Sequence, residues 1–426
     1  MSLPQVTIVG GGISGLTCGW HLSEAGFGVR ILEKEAVLGG LARSFFMDGN
    51  WIPLVYHHVM SPDKNTLDYI KRFNFLKDLR WIKSPQAFWY ENRVYLLSQP
   101  QHIFRFKPLD LSSKFRLFKL GLYVWSKTDW EDLKDTHCDE WLNKVLGRHA
   151  SELLFQNLMD IKFNMPLSSV SAAWLGRRMH QSIRNRDRYG YIRPGWQELL
   201  DSMARGIIER GGEILTNFEV KSICDGKILG IDKDGRENSF PRHIIVSTIP
   251  PPVLNRIFTR EYACRGALDN IKYKALISFV CASPEKISPY YWSVVLKPHL
   301  IFGGFFNFSV LSCVTASAGE NIYYFFTYLE NDALLLGYTD EKLKEIYLND
   351  IRKIFPSFHM NWFKAFRLVF SQPVFLRDYQ NPQIEVADNF YLAGVYRQFP
   401  RPRTMDAAFY SGRETAEYII NKYGKN

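Results

Sequence analysis

Cysteine is scarce and dispersed: Cys18, Cys138, Cys224, Cys264, Cys281 and Cys313 are the six in 426 residues, and none forms a C-x-x-C pair. A disulfide framework and a thiol metal clip are therefore not indicated, and reduced thiols are expected. Long apolar runs are missing too. No stretch approaches the ~18 residues of a membrane span. The opening residues 1–12 lack a basic segment and their apolar run is broken by glycines, so a signal peptide is not expected and a cytoplasmic location is. Zinc-finger spacing and other nucleic-acid motifs are absent, which excludes nucleic acid as a partner. There is no nucleophile elbow, metal-ligand cluster or pair of catalytic carboxylates, so no metal is expected. Internal repeats, low-complexity tracts and flexible linkers are also missing.

Acidic residues are outnumbered, 43 to 53 Lys and Arg, giving a net charge of +10. Such a balance favours anionic partners, here phosphorylated small molecules or acidic lipid headgroups. The hydrophobic fraction of 46% and charged fraction of 23% are those of a globular protein. The length suggests about two to three domains.

Residues 5–9 are apolar and β-branched and read as a short buried strand. Glycines 10, 11 and 12 follow, then a helix over 13–25 with Ile13, Leu16 and Trp20 on one face, stopped by Gly26 and Gly28. A second strand over 29–32 ends at Glu33. This βαβ opening predicts a parallel sheet covered by helices. Residues 61–190 read as mainly helical and rich in Phe, Trp and basic side chains. After the Pro194-Gly195 turn comes an amphipathic helix, then strands near 213–217, 218–223 and 243–249. A mixed region follows, with strands near 275–282 and 322–329, and the chain closes on a strand at 389–394 and a helix. The two kinds of region alternate. A discontinuous Rossmann-like domain (1–60, 190–260 and 371–426) is therefore expected to interleave with a mixed α+β domain (61–189 and 261–370) that binds substrate.

Gly10-x-Gly12-x-x-Gly15 lies where a dinucleotide fingerprint must lie, after a strand and opening a helix. Gly10 permits the tight turn, Gly12 admits a pyrophosphate to the backbone, and Gly15 lets helix and sheet pack closely. Ile13 and Ser14 begin the helix, whose free N–H groups and dipole attract phosphate. Glu33, 23 residues past Gly10, is placed to accept hydrogen bonds from ribose hydroxyls, with Lys34 beside it. Six residues later comes Gly39-Gly40-Leu41-Ala42-Arg43-Ser44. The doublet allows close approach and Arg43 can neutralise a pyrophosphate.

The fingerprint with this doublet resembles the superfamily of FAD-dependent amine oxidases, protoporphyrinogen oxidases and phytoene desaturases. The likeness covers most of the chain. Its closing helix, from Thr404-Met405-Asp406-Ala407-Ala408 to Ser411-Gly412-Arg413, is similar to the one that in this superfamily points its N-terminal N–H groups at the flavin pyrimidine, stabilising the negative charge that collects there on reduction. The resemblance implies FAD as cofactor, contacted also by Val220 on the adenine side and by Gly394 after the last strand. One departure is local: many members place an acidic residue after that strand, whereas Val395 and Tyr396 follow Gly394 here. Residues 54–70 are also similar to UDP-galactopyranose mutase.

In the superfamily the segment holding His57 and His58 passes the flavin ring. A histidine there can donate to flavin N5 or O4, or act as acid or base near neutral pH. Adjacent residues on a strand point to opposite faces, so one of the two is expected at the flavin, and His58, with Tyr56 on its side, is the candidate. Arg397 is a further candidate beside the flavin or a substrate anion. Arg184, Arg186 and Arg188, in a run of six arginines with Asp187 the one acid, suit the oxygens of a phosphorylated substrate, a nucleotide sugar or lipid-linked phosphate. Lys114, Arg116 and Lys119 alternate with apolar residues in a segment suited to peripheral contact with an anionic membrane. Three readings follow: an FAD-dependent oxidoreductase moving a hydride from a substrate C–H bond to flavin N5; a non-redox flavoenzyme of the mutase type; and a flavin-free binding protein like the Rab escort proteins and GDP-dissociation inhibitors. The intact glycines, Arg43 and closing helix speak against the third.

Overall fold

The computed structural model describes residues 3–91, 93–224, 226–259, 265–296, 300–316 and 319–424. Its organising element is a six-stranded sheet in the order Glu213–Leu215, Gly28–Leu32, Gln5–Val9, Ile244–Ser247, Phe390–Leu392, Glu385–Ala387. Every pairing is parallel except the last. Gln5–Val9 sits at its centre with Val6, Ile8 and Val9 buried, as expected of a strand covered on both faces. The helix Ile13–Glu24 follows, and the closing helix Met405–Tyr423 packs directly against it.

Gly15 lets the first helix sit on the turn that precedes it, and Gly412 lets the closing helix sit on the first. A Cβ on Gly15 would lie 2.0 Å from the Gly10 carbonyl oxygen, and one on Gly412 would lie 2.4 Å from that of Ser14. The two ends of the chain are thus pressed together at the rim of the sheet.

A second, seven-stranded sheet runs Trp362–Pro373, Tyr273–Ser283, Asn321–Leu329, Gly304–Asn307, Trp292–Val295, Ala87–Tyr90, Arg93–Leu96. Its pairings are antiparallel apart from Trp292–Val295 with Ala87–Tyr90. Tyr273–Ser283 is buried throughout and alternates between two cores. Leu276, Val280 and Ala282 face the core shared with the first sheet, while Ile277, Phe279 and Cys281 pack with Leu343, Tyr347 and Ile351 of the helix Asp340–Ile354.

Helices Leu111–Ser126, Cys138–Leu146 and Ala172–Asn185 form a further cluster around Trp130, Leu142 and Trp174. The stretch 61–190 is mainly helical, as its composition suggests. It also supplies Leu79–Lys83, Ala87–Tyr90 and Arg93–Leu96, short strands whose aromatic-rich runs carry little alternation. The three-stranded meander Glu219–Cys224, Lys227–Ile231, Glu237–Pro241 likewise exceeds the single strand expected there.

Cys18, Cys138, Cys224, Cys281 and Cys313 are free thiols, and Cys264 lies outside the described residues. Among the described residues no helix is long and apolar enough to cross a membrane.

Candidate active site

A cavity of about 1380 Å³ opens between the two large sheets. It exceeds the roughly 300–1,000 Å³ of an ordinary small-molecule pocket, leaving room for a dinucleotide and a substrate together.

One end is built by the parallel sheet. Gly10 (φ 106°) ends the first strand and turns the chain, and Gly12 caps the first helix with no side-chain hydrogen bond and no acid in the first turn. The first turn of the helix meets the cavity at Gly12, Ile13 and Ser14, all of which line it, where a helix start favours an anion. Gly39 (φ 116°) and Gly40 (φ 57°) lie against this turn: the Gly39 N–H donates to the Gly11 carbonyl at 2.8 Å, and a Cβ on Gly40 would come within 3.2 Å of the Gly12 Cα. The result is a cradle of bare backbone that fits a pyrophosphate.

Glu33 is held at its edge. Its carboxylate accepts the Gly11 N–H at 2.7 Å and the Glu35 N–H at 2.9 Å. Lys34, Leu41, Ala42 and Arg43 line the same region. Arg43 reaches Glu35 at 3.4 Å and donates to the Gly40 carbonyl at 3.3 Å. Val220, almost fully buried on its strand, forms part of the wall beyond.

The other end holds the chain's C-terminal elements. Gly394 takes a φ of 152° and is clamped by Ser411: its N–H donates to the hydroxyl at 2.8 Å and its carbonyl accepts from it at 3.1 Å. Thr404 caps the closing helix, its Oγ1 accepting the Ala407 N–H at 3.1 Å, and Thr404, Met405 and Ala408 line the cavity. Ser14 donates to the Ala408 carbonyl at 3.0 Å and joins the two helix N-termini. Both dipoles thus act on one cavity.

Tyr56, His57 and His58 also line the cavity, all three together. The expectation that one histidine points away does not hold, because residues 54–58 form no strand and the alternation rule has nothing to act on. Tyr56 stacks on Phe306 at 3.8 Å and its hydroxyl lies 3.0 Å from that of Tyr328. The His57 Nδ1 lies 2.7 Å from the Val55 carbonyl, which can only accept, so the proton sits on Nδ1 and Nε2 carries the lone pair. His58 Nδ1 meets the Tyr291 hydroxyl at 3.0 Å. Burial lowers His57 to about 4, helped by the Arg403 charge. Burial likewise lowers His58 to about 3, with Arg178 and His57 adding to it. Both imidazoles are neutral at pH 7.

Asp63, which also lines the cavity, moves the other way. Burial raises its carboxyl to about 7, although it accepts the Met60 N–H and the Gln181 amide, each at 2.8 Å.

Four arginines proposed for chemistry lie elsewhere. Arg397 is 7% exposed and outside the cavity lining; it donates to the Pro382 carbonyl at 3.0 Å and pairs with Glu414 at 3.2 Å, which tie the last strand's loop to the closing helix. Arg184, Arg186 and Arg188 are exposed and outside the lining too. Arg184 ends a helix, its guanidinium 5.3 Å from the Trp125 ring; Arg186 has a left-handed backbone; Arg188 opens a strand with its guanidinium 5.2 Å from Trp81. The helical repeat explains the difference. On the helix Ala172–Asn185, Trp174 and Arg178 are one turn apart and line the cavity, and Arg184 is on another face. Arg178 belongs to the arginine run, and Lys162 and Arg403, also in the lining, carry no motif.

Comparison with known proteins agrees with this geometry. Residues 13–420 match the family model for flavin-containing amine oxidoreductases. The chain is 22% identical to the 15-cis-phytoene desaturase of Synechococcus elongatus over 98% of its own length and 96% of the relative's. Its fold is similar to that of a protein from Exiguobacterium sp. 255-15 assigned as a protoporphyrinogen oxidase (TM-score 0.77, 17% identity, 99% of this chain and 100% of that one). It is also similar to that of reduced UDP-galactopyranose mutase (TM-score 0.75, 15% identity, 98% and 96%). The chain belongs to the flavin-containing amine oxidoreductase family and is an FAD-dependent oxidoreductase.

Proposed function

We propose that the protein removes a hydride from a C–H bond of a largely apolar substrate, with electrons passing afterwards to oxygen or another acceptor. FAD, when bound, would supply the hydride acceptor. The protein's part is to orient, desolvate and hold protons. The observation that carries the reading is the desolvated wall opposite the dinucleotide cradle, where Tyr56, Phe306 and Trp292 stack in series beside two neutral histidines. An aromatic wall excludes water from the reacting carbon. His57, whose Nε2 carries the lone pair, accepts a proton, and His58 positions the wall through Tyr291. Gly10, Gly12, Ile13, Ser14, Gly15, Glu33, Lys34, the segment Gly39–Arg43, Val220, Gly394, Thr404 and Met405 are the residues we assign to FAD.

Anaerobic mixing with candidate substrates tests this: bleaching of the oxidised flavin band is expected, slowed by a deuterium at the reacting carbon, and substrate binding without bleaching would contradict it. One observation favours a second reading, a non-redox rearrangement of the UDP-galactopyranose mutase type with a nucleotide sugar as substrate: Lys162, Arg178 and Arg403 lie beside the aromatic wall. Turnover that requires pre-reduced protein and consumes no acceptor would select it. The reading includes peripheral contact with an anionic membrane, since Leu111, Phe115, Leu122 and Trp125 are exposed on one face of the helix bearing Lys114 and Lys119. Co-sedimentation with anionic but not neutral vesicles is the expected result.

A further inference from the structure

Lys162, Arg178 and Arg403 come from three separate parts of the chain and converge on the aromatic end of the cavity, around Tyr56. Lys162 Nζ stands 5.7 Å from the ring of Tyr328, whose hydroxyl meets that of Tyr56. The Arg178 guanidinium lies 5.8 Å from the Trp292 ring and donates to Gln181 at 2.9 Å. Arg403 donates to Gln372 at 3.0 Å, and its charge acts on both Tyr56 and His57. Among the described residues, no carboxylate lies within ion-pair distance of any of the three, and all three line the cavity, the two arginines each bonded to one amide. Asp63 is the acid in the field of Arg178, and both its oxygens are taken up by Met60 and Gln181.

Three basic side chains brought together without counter-ions in a partly buried wall repel one another when charged, and Lys162 and Arg178 have also lost hydration. Burial, with the charges of Arg178 and Arg403, holds the Lys162 amine well below its usual range. Nothing in the packing of this wall needs the charges, since apolar side chains of the same size would fill it at lower cost. A negative group placed between them would relieve the repulsion, and guanidinium forks suit its oxygens. The surrounding surface, from Tyr56, Phe306 and Trp292, is apolar.

We propose that Lys162, Arg178 and Arg403 form the anion subsite of the substrate pocket, and that the substrate is an apolar molecule with a terminal carboxylate or phosphate. An ammonium substrate is disfavoured by the same charges. This rests on the FAD-oxidoreductase reading above, since it fixes one end of the molecule whose other end meets the flavin. The subsite holds the anion while the aromatic wall holds the body.

The test is titration of the FAD-loaded protein with decanoate, decyl phosphate and decylamine, read by the flavin difference spectrum and by calorimetry. At least one anion should bind about tenfold or more tightly than decylamine, and the stronger of the two identifies carboxylate or phosphate. Lys162→Met and Arg178→Met should each weaken the anion by about tenfold at unchanged FAD content, whereas Arg178→Lys should recover most of the loss. Decylamine binding as tightly as the anions, no binding of any probe, or undiminished anion binding in both Met variants would overturn the subsite. If a variant fails to retain FAD, the wild-type preference between anion and amine decides alone. A yellow, reducible protein without anion preference removes the subsite and leaves the oxidoreductase reading in place; a colourless one removes that reading instead.

Discussion

The carboxylate of Glu33 accepts the backbone N–H of Gly11 at 2.7 Å, closing the glycine turn against the end of the second strand. The side chain we assign to the ribose therefore also shapes the glycine turn. Glu33→Ala should weaken FAD binding by about 1–3 kcal/mol, the worth of charge-assisted hydrogen bonds lost at a buried site. Equilibrium dialysis of the apoprotein against FAD measures it, and an unchanged affinity would remove Glu33 from the site.

Gly15→Ala should abolish FAD retention. Its Cβ would sit 2.0 Å from the Gly10 carbonyl oxygen, so the turn must move before the helix can form in place. Bound flavin per chain after gel filtration is the readout. A fully loaded variant would show that the turn yields without harm.

His58→Ala and His57→Ala separate the roles of the two imidazoles. Loss of a general base costs about a hundredfold or more in the reductive step. Because the Val55 carbonyl fixes the proton on His57 Nδ1 and leaves Nε2 as the acceptor, whereas the Tyr291 hydroxyl at His58 Nδ1 can donate or accept, His57→Ala should be the more damaging under single-turnover conditions, with FAD content unaffected in both. Two silent variants would make the pair non-catalytic.

Stability should fall on acidification below about pH 6.5. Each histidine has a folded pKa, about 4 and about 3, below its ordinary 6.5. Below pH 6.5 the unfolded chain takes up protons that the folded one refuses, so stability present above that pH is lost progressively as pH drops towards those values. Asp63, raised from 3.8 to about 7, acts in the opposite direction over much of the same range. Thermal midpoints from pH 7 to 4.5 should therefore fall, and fall further in Asp63→Asn than in the wild type. A midpoint that rises on acidification would contradict the assignment of buried neutral histidines.

Arg397→Met should lower thermal stability by about 1–3 kcal/mol through loss of its bonds to Glu414 and Pro382, with turnover per folded, FAD-loaded molecule retained. A specific loss of turnover would return Arg397 to the active site.

The dinucleotide end of the cavity was legible in the sequence because its constraints are local. A turn that needs positive φ, a close approach and an uncapped helix demand particular residues at fixed spacing, and Gly10, Gly12 and Gly15 announce them. The substrate end was not. Lys162, Arg178 and Arg403 are brought together by tertiary packing, and no spacing in the chain records it. Arg184, Arg186 and Arg188 drew attention by density along the sequence, yet solvent takes up their charge. Helical phase, which sets Arg178 one turn from Trp174, was the signal available. The histidine pair shows the converse limit: alternation applies only within a strand, and residues 54–58 are irregular.

The most direct measurement of the central claim is the absorbance spectrum of the purified protein before and after anaerobic addition of a reductant or candidate substrate. A flavin spectrum that bleaches reversibly, with about one FAD and no FMN released per chain on denaturation, is the predicted result, since one cradle of bare backbone serves one pyrophosphate. A colourless protein that cannot be reconstituted with FAD would contradict the account.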